Sequence, residues 1–465
     1  MKKIIIVGAV AAGLKTAAEI RRCDPEASIT VIEKGELISY GACGMPYFVS
    51  GDVPSIEHLM ATASGEIRDA GYFSRARNIN VLTRTKATKI DRHNKKLAII
   101  DLKTGSETLL SYDKLVLATG ASPIQPDIPG VQLQNIFHFW HPDDAKTIHD
   151  GLQENRFKKA VIIGVGLVGM EMTEALKTRN ADVTVIARRD QLLRAFLDKE
   201  MAEPVAKHLA DKGVTVLTDE AIKEFRGSQA VQEVITDKRS IPADLVILAI
   251  GVKPNVDLAQ EAGLAIGPTG AIAVNEHLQT SDPDIYAGGD CVENTNLISG
   301  RKVFAPMGST ANKHGRVIGE NICGGSTIFR GVLNTVVLKI FDLNVGRVGL
   351  TEREAKDLGY DYLATTVSGY DKPHYMPGAQ SLTLKLIADA KTRRVLGAQA
   401  CGRGEVAKRI DVIAMNMTAG GTIDDLFDCD LSYAPPYNTP IDITAMASII
   451  LSNKLARRSA GTMRR

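Results

Sequence analysis

The sequence has few cysteines, and no two of them stand close together. Its 465 residues include six cysteines without a Cys-x-x-Cys pair. This scarcity argues against a disulfide scaffold and a zinc site, and it suits a reducing compartment, so a cytoplasmic location is expected. Cys43 is isolated, because the next cysteine along the chain is Cys291. If Cys43 is a redox thiol, the second sulfur of its disulfide must come from outside the protein.

Net charge and long apolar runs are also scarce. The 56 basic residues nearly balance the 54 acidic ones, so neither nucleic acid nor a membrane surface is expected as a partner. No run reaches the roughly 18 consecutive apolar residues of a transmembrane helix. At roughly 100 to 200 residues per domain, the length predicts about three domains.

A strand, a glycine-rich turn and a helix occur twice, which is typical of dinucleotide-binding βαβ units. In the first copy, Gly8 permits a tight turn and Gly13 permits close helix packing, while the helix N-terminus offers N–H groups to a pyrophosphate. Glu33 follows the second strand and can accept hydrogen bonds from an adenosine ribose. Lys34, next to it, is assigned to the same cofactor. Val10 replaces the usual middle glycine, which weakens this copy of the motif.

The second copy has all three glycines, and basic residues follow its second strand. A carboxylate there would repel a 2′-phosphate, whereas guanidinium groups can bind one in bidentate fashion. This pattern predicts NADPH preference, with NADH possible; a solvated basic turn is the alternative. The residues assigned to this cofactor are Gly164, Gly166, Gly169, Glu171, Arg188 and Arg194.

Two dinucleotide sites imply two cofactors, and the expected pair is FAD with a nicotinamide. Two buried strands end in glycines that suit chain crossings between nucleotide domains. Asp290 follows a glycine turn, where it could bind a polyol hydroxyl or cap a helix. The cofactor residues assigned in these segments are Ala118, Thr119, Gly120, Gly251, Asp290 and Ala311.

With these motifs in place, the chain resembles the pyridine nucleotide-disulfide oxidoreductases. Within them it is similar to the single-cysteine branch, which contains coenzyme A-disulfide reductases, NADH oxidases and peroxidases, and sulfur or polysulfide reductases. The resemblance spans nearly the whole chain. Its anchors are residues 8–13, 43–47, 118–120, 164–171, 249–254, 288–290 and 433–437.

The resemblance implies an α/β fold with two Rossmann-like domains and a C-terminal α+β dimerisation domain. FAD would be held by residues 1–120 and 253–325, and the nicotinamide nucleotide by residues 121–252. Residues 326–465 would form the interface of a homodimer.

The resemblance also implies roles for individual residues. Cys43 would be the redox residue, and Tyr375 and Tyr433 would approach it from the partner subunit; simple packing at the interface is the alternative for both tyrosines. A histidine found in the oxidases and peroxidases is matched by Ala11, which disfavours peroxide chemistry. The substrate-binding candidates are Lys15, Arg22 and Ser39.

The expected activity is reduction of coenzyme A disulfide, another low-molecular-weight disulfide, a persulfide or polysulfide through Cys43. A helix N-terminus at Cys43 is expected to lower its thiol pKa. An NAD(P)H oxidase that reduces oxygen and an electron-transfer flavoprotein with a protein partner remain alternatives. His138 and His141, which precede acidic residues, are interpreted as capping and packing groups, and no metal is assigned.

Overall fold

The computed structural model describes residues 2–462, with side chains described for residues 2–458. It combines two parallel sheets with an antiparallel C-terminal sheet, which confirms the expected fold class. In chain order the strands are β1 Lys3–Val7, β2 Ser28–Ile32, β3 Asn80–Leu82, β4 Thr85–Asp91, β5 Lys96–Asp101, β6 Glu107–Ser111, β7 Lys114–Leu117, β8 Ala121–Pro123, β9 Ile136–Phe137, β10 Lys159–Ile163, β11 Asp182–Ile186, β12 Thr215–Leu217, β13 Ile222–Arg226, β14 Glu233–Thr236, β15 Ser240–Pro242, β16 Leu245–Leu248, β17 Val252–Pro254, β18 Ile285–Ala287, β19 Asn294–Thr295, β20 Lys302–Val303, β21 Val336–Ile340, β22 Leu343–Gly349, β23 Tyr362–Tyr370, β24 Ser381–Asp389 and β25 Val395–Gly402.

The helices cover both parallel sheets and one face of the C-terminal sheet. They are α1 Ala12–Cys23, α2 Met45–Ser50, α3 Ala70–Arg77, α4 Pro142–Gln153, α5 Leu167–Thr178, α6 Lys199–Asp211, α7 Asp257–Glu261, α8 Gly308–Ile322, α9 Glu352–Asp357, α10 Val406–Thr418, α11 Ile423–Asp428 and α12 Ile443–Thr462. None of the helices in the described part of the chain is both long and apolar enough to span a bilayer.

The first parallel sheet has the strand order β18-β7-β1-β2-β3. Its central strand β1 is a run of aliphatic residues in which all four residues after Lys3 are buried. Such a run is typical of a parallel strand that is covered on both faces. Helices α1 and α8 pack against each other on one face. The ends of β1, β7 and β18 therefore meet at one edge, where the first glycine turn lies.

The second parallel sheet, in the order β12-β11-β10-β16-β9, is inserted between β7 and β18 of the first. The chain leaves through β8 and returns through β17, and these two short strands pair in antiparallel fashion. Thr119 and Asn255 lie beside this crossing and exchange two hydrogen bonds, from Thr119 Oγ1 to Asn255 O at 2.7 Å and from Asn255 Nδ2 to Thr119 O at 2.8 Å. The crossing therefore has a defined geometry.

The C-terminal sheet is antiparallel, in the order β21-β22-β25-β24-β23, and α10 and α12 pack on it. Large apolar side chains are nevertheless exposed in this part of the chain. Exposed apolar side chains in such number are typical of a protein interaction surface. The exposed residues are Val337, Tyr370, Tyr375, Met415, Phe427, Tyr433, Tyr437, Ile441 and Met446.

Candidate active site

The two glycine turns have nearly the same geometry. Gly8 and Gly164 both have φ of +110°, and a Cβ on either would lie 2.1 Å from a backbone oxygen, that of Ala118 and Ala249 respectively. In each copy the last glycine of the motif packs directly on the first: a Cβ at Gly169 would lie 2.2 Å from Gly164 O. Only glycine fits such positions, so the repeated motif has the same physical basis in both units.

The last glycine of the first turn, Gly13, is equally constrained, since its Cβ would lie 1.8 Å from Gly8 O. Helix α1 then begins without a side-chain cap, and so does α5 after Gly166. The free N–H groups of their first turns are suited to a phosphate. A Cβ at Gly166 would meet nothing within 4 Å, so its place in the motif is not required by packing.

Two carboxylates flank the first turn. Glu33 accepts hydrogen bonds from the Ala9 and Gly35 N–H groups, each at 2.9 Å, which orient its carboxylate beside the turn. Asp290 follows β18, and burial raises its carboxyl pKa to about 6. Its carboxylate has no hydrogen-bond or ion-pair partner among the side chains described, those of residues 2–458, and a partly buried, unpartnered carboxylate is costly unless a ligand satisfies it.

These observations fit a bound dinucleotide in the first unit. The tight turn brings backbone N–H groups to the surface, and Asp290 offers acceptors for hydroxyl groups. Gly289 lies between the first turns of α1 and α8, because its Cβ would be 3.1 Å from that of Ala12 and 3.8 Å from that of Ala311. Ala311 itself is buried. Gly8, Gly13, Glu33, Ala118, Asp290 and Ala311 thus lie around one edge of the first sheet, whereas Lys34 is exposed and Gly251 follows β16 of the second sheet.

Cys43 lies in the 3₁₀ turn Ala42–Gly44 just before α2, and its side chain is exposed. Helix α2 packs against α4 and α5 of the second unit, and Phe48 stacks on the His149 ring with centroids 4.4 Å apart. This packing places the thiol where the two nucleotide units meet. Both Glu171 of the second unit and Asp290 of the first act on it electrostatically.

The prediction that the Cys43 thiol has a lowered pKa is wrong, because the surrounding protein groups raise it. Although Cys43 reaches solvent, the protein around its thiol partly shields it from water, and this desolvation raises the thiol pKa; the negative charges of Glu171 and Asp290 raise it further, whereas a backbone hydrogen bond lowers it only in part. Desolvation is the largest cause, and together with the two carboxylates it outweighs the backbone hydrogen bond in the turn before α2.

Glu171 is the second perturbed group of the site. Burial, followed by the charge of Glu174, raises its carboxyl pKa to about 7. Glu174 is paired with Lys339 Nζ at 2.8 Å and accepts the Phe341 N–H at 2.8 Å. Glu171 has no such partner in the part of the chain that is described. Near neutral pH, its protonation therefore removes a charge that opposes the Cys43 thiolate.

The two arginines assigned to a 2′-phosphate are exposed and lie on one segment after β11. Ala187, which precedes Arg188, is buried. Arg194 Nη1 lies 3.3 Å from Asp190 Oδ1, so a neighbouring acid offsets part of its charge. The structure thus brings both guanidinium groups to one surface segment, together with Asp190.

The two tyrosines lie on separate exposed loops of the C-terminal domain, and the buried Arg409 joins these loops. Its guanidinium donates to Asp371 O at 2.8 Å on the loop of Tyr375, and to Asn438 Oδ1 at 3.0 Å on the loop of Tyr433. Sequence reasoning missed Arg409, because an arginine in an amphipathic helix gives no sign that it will be buried.

Among the described residues, no hydrogen bond or ion pair joins the three substrate-binding candidates to Cys43. Arg22 is exposed and bonded to Glu19 on the same helix. Lys15 packs against α8, because a Cβ added at Gly315 of that helix would lie 2.7 Å from the Cβ of Lys15. Ser39 is buried with φ of +54°, and its N–H donates to Ala9 O at 2.9 Å. Their roles stay predictions.

His141 and Asp144 form a capping box at the start of α4. His138 Nε2 pairs with Gln125 Oε1 at 2.5 Å. The interpretation of these residues as capping and packing groups agrees with these contacts.

Sequence reasoning also missed His314 of α8, which is fully buried. Its Nδ1 accepts the Gly289 N–H at 3.1 Å, and burial lowers its pKa to about 4, so it is neutral at pH 7. It supports the turn that presents Asp290. A single histidine within a helix carries no sequence signal for this contact.

Comparison with known proteins agrees with this geometry. The family described as pyridine nucleotide-disulphide oxidoreductase matches residues 2–308, and its dimerisation domain matches residues 335–443. The NAD(P)H sulfur oxidoreductase (CoA-dependent) of Pyrococcus furiosus is 39% identical over 94% of this chain and 96% of that protein. A NAD-dependent persulfide reductase from A. fulgidus has a TM-score of 0.95 and 45% identity, covering 97% of this chain and 83% of that one.

A third similar structure is an engineered water-forming NADPH oxidase bound to NADPH, derived from the Lactobacillus brevis NADH oxidase. It is 27% identical, with a TM-score of 0.93, over 98% of this chain and 100% of that one. In it an aspartate is replaced by alanine, the next residue by arginine, and a residue six positions further on by arginine.

Proposed function

Because the chain belongs to the pyridine nucleotide-disulphide oxidoreductase family, we propose that it is a FAD-dependent NAD(P)H reductase of sulfur–sulfur bonds that acts through Cys43. The substrates are a persulfide, a polysulfide or a low-molecular-weight disulfide such as coenzyme A disulfide. One observation carries the proposal: an exposed thiol without a neighbouring cysteine lies where the two nucleotide units meet. The similar sulfur and persulfide reductases support the same substrate class.

The proposed site divides between the two units, with the predicted limits 1–120 and 253–325 for FAD and 121–252 for the nicotinamide nucleotide. Gly8, Gly13, Glu33 and Asp290 would hold FAD, and Gly164, Gly166 and Gly169 the nicotinamide nucleotide. FAD, when bound, supplies the two-electron chemistry between the nicotinamide and sulfur. Glu171 borders the nicotinamide side of the thiol.

The chain's own step is thiol–disulfide exchange. The Cys43 thiolate attacks one sulfur of the substrate, a new Cys43 S–S bond forms, the substrate S–S bond breaks, and one thiolate leaves. Two electrons from NAD(P)H then return Cys43 to the thiolate and release the second sulfur. Protonation of Glu171 favours the attacking thiolate, because it removes a nearby negative charge.

The C-terminal part of the chain, from residue 326 onward, forms a homodimer interface in this proposal. Its match to the dimerisation domain and its exposed apolar side chains support this assignment. Tyr375 and Tyr433 would then approach Cys43 across the interface and orient the leaving sulfur. Arg409, which is hydrogen-bonded to both loops, would keep them in place for this role.

NADPH is the proposed preferred nucleotide. Ala187, Arg188 and Arg194 reproduce the alanine, the adjacent arginine and the arginine six positions later of the engineered NADPH oxidase. The similar persulfide reductase is described as NAD-dependent, so NADH is expected to serve as a weaker donor.

The test compares the parent enzyme with Cys43→Ser. The variant should retain FAD and reduce ferricyanide with NADPH at the parent rate, while losing activity toward coenzyme A disulfide, coenzyme A persulfide and polysulfide. Cys23→Ser is the matched control, because this thiol is also exposed and lies at the opposite end of α1 from the first glycine turn. Disulfide reduction by Cys43→Ser, or rapid oxygen consumption without any sulfur substrate, would refute the proposed function in favour of an oxidase or electron-transfer flavoprotein.

A further inference from the structure

The segment 188–198, which contains Arg188 and Arg194, is not a free surface loop. It leaves β11 and ends at the start of α6. Leu193 has φ of +50°, and its N–H donates to Val165 O at 3.1 Å, inside the second glycine turn. A leucine in left-handed backbone is strained, and such a conformation persists only where neighbouring contacts impose it. One side of the segment is thus tied to the nucleotide turn.

The other side is tied to the C-terminal domain through backbone carbonyls. Arg353 Nη2 donates to Arg194 O at 2.7 Å. Arg347, whose side chain is only 4% exposed, donates to Ala195 O and pairs with Glu354. Two guanidinium groups of the C-terminal domain therefore bind the consecutive carbonyls of Arg194 and Ala195. Arg194 is the residue proposed to contact the 2′-phosphate.

An ionic cluster around the buried Lys385 and the partly buried Asp198 fixes the end of the segment. Asp198 Oδ2 accepts from Lys385 Nζ at 2.9 Å, Gln399 Nε2 at 2.6 Å and the Glu352 N–H at 3.0 Å. Lys385 is 2% exposed and also pairs with Glu200 and Glu352. The carboxylates of Asp198, Glu200 and Glu352 lie close together, as they would in a cation site, but the Lys385 ammonium already pairs with all three. The cluster joins the segment to β24, β25 and α9.

Apolar contacts reinforce the same connection. Leu193 and Leu197 are buried against Val336, Leu338 and Val345 of the C-terminal sheet. The segment therefore takes its conformation from two sides, the glycine turn and the C-terminal domain.

We propose that the C-terminal domain takes part in nucleotide discrimination, with Arg353, Arg347 and Lys385 acting as positioning residues that hold Arg194 beside Arg188 for a 2′-phosphate. This inference rests on the proposed NADPH preference. A nicotinamide nucleotide without the 2′-phosphate does not use the Arg194 guanidinium, so the contribution of these residues is specific to NADPH. The C-terminal domain thereby acts on the second nucleotide site of its own chain, in addition to its interface role.

The primary variant is Arg353→Met, because Arg353 is only partly buried and its loss leaves the Lys385 cluster intact. Steady-state rates with ferricyanide as acceptor give KM and kcat for NADPH and NADH in the FAD-loaded enzyme. KM for NADPH should rise about two- to tenfold, as expected for the loss of one hydrogen bond, with kcat and the NADH constants unchanged. Arg353→Lys, which keeps a donor, should restore part of the difference.

The matched control is Arg393→Met, which removes an ion pair with Asp424 in the same domain, away from the segment. Arg194→Ala and the double variant with Arg353→Met complete the set. If Arg353 acts through Arg194, the double variant should match Arg194→Ala alone, since coupled residues are not additive. Melting temperature and FAD content show whether each variant is folded.

The outcomes separate the inference from the proposed function. A selective rise in the NADPH KM for Arg194→Ala, with Arg353→Met behaving like Arg393→Met, overturns the positioning role and leaves the NADPH assignment standing. Additive effects in the double variant also overturn the positioning role. Equal effects of Arg194→Ala on NADPH and NADH overturn the NADPH assignment and this inference with it.

Discussion

Replacing Glu171 with glutamine should remove a loss of stability that occurs as the pH rises. Burial and the charge of Glu174 raise the Glu171 carboxyl pKa from 4.5 to about 7 on folding. The folded protein therefore binds this proton more tightly than the unfolded chain does. The resulting stabilisation is complete below pH 4.5 and is lost as the pH rises through about 7.

The size of the effect follows from the two pKa values. At about 1.4 kcal/mol per pKa unit, the change from 4.5 to about 7 corresponds to about 3.5 kcal/mol of unfolding free energy. At about 2 cal/mol/K per residue, a chain of 465 residues has an unfolding entropy of about 1 kcal/mol/K. Glu171→Gln should therefore exceed the parent Tm by less than about 1 °C at pH 5 and by about 3.5 °C at pH 9.

The assay is differential scanning fluorimetry of the FAD-loaded parent and variant in parallel buffers from pH 5 to 9. The difference between the two curves cancels the titration of groups they share. Glu174→Gln is the matched control: it breaks the ion pair with Lys339, lowers Tm throughout, and moves the pH step downward. Parallel curves for the parent and Glu171→Gln would refute the argument. Alkylation of Cys43 by iodoacetamide at pH 8 should also be faster in Glu171→Gln, because one charge that raises the thiol pKa is gone.

Two further substitutions test the packing of the site. Gly8→Ala places a Cβ 2.1 Å from Ala118 O, so the purified protein should contain less FAD by its absorbance at about 450 nm. Gly105→Ala also has positive φ, but its Cβ meets nothing within 4 Å, so it should retain more FAD. Equal FAD content in both would contradict the steric argument. Arg409→Met leaves Asp442, its partner at 2.9 Å, buried without a cation. This change should lower the unfolding free energy by about 3 to 5 kcal/mol and should lower the rate of disulfide reduction more than that of ferricyanide reduction. An unchanged Tm would contradict this expectation.

The glycine turns could be predicted from the sequence because their requirement is local. Gly8 and Gly164 are needed where a backbone oxygen comes too close for any Cβ, and a strand before and a helix after each turn give a regular pattern. The isolation of Cys43 is likewise a property of the sequence alone. The pKa of its thiol is not, since Glu171 and Asp290 approach it from segments far along the chain.

The residues that sequence reasoning missed have a common property. His314, Lys385 and Arg409 are polar side chains buried by contacts with distant segments. Lys385, for example, bonds to Asp198, which is 187 positions away. Neither periodicity nor a short motif records such contacts, because they depend on how whole domains pack.

The amino-acid sequence by itself determined the two dinucleotide units, the unaccompanied thiol and the fold class, since short-range sterics and hydrophobic pattern specify strands, turns and helices. Only the tertiary structure decided which charges surround Cys43 and which domain holds the Arg188 and Arg194 segment. Electrostatic and hydrogen-bond energies depend on distance and burial in space, and folding brings together groups that are far apart along the chain.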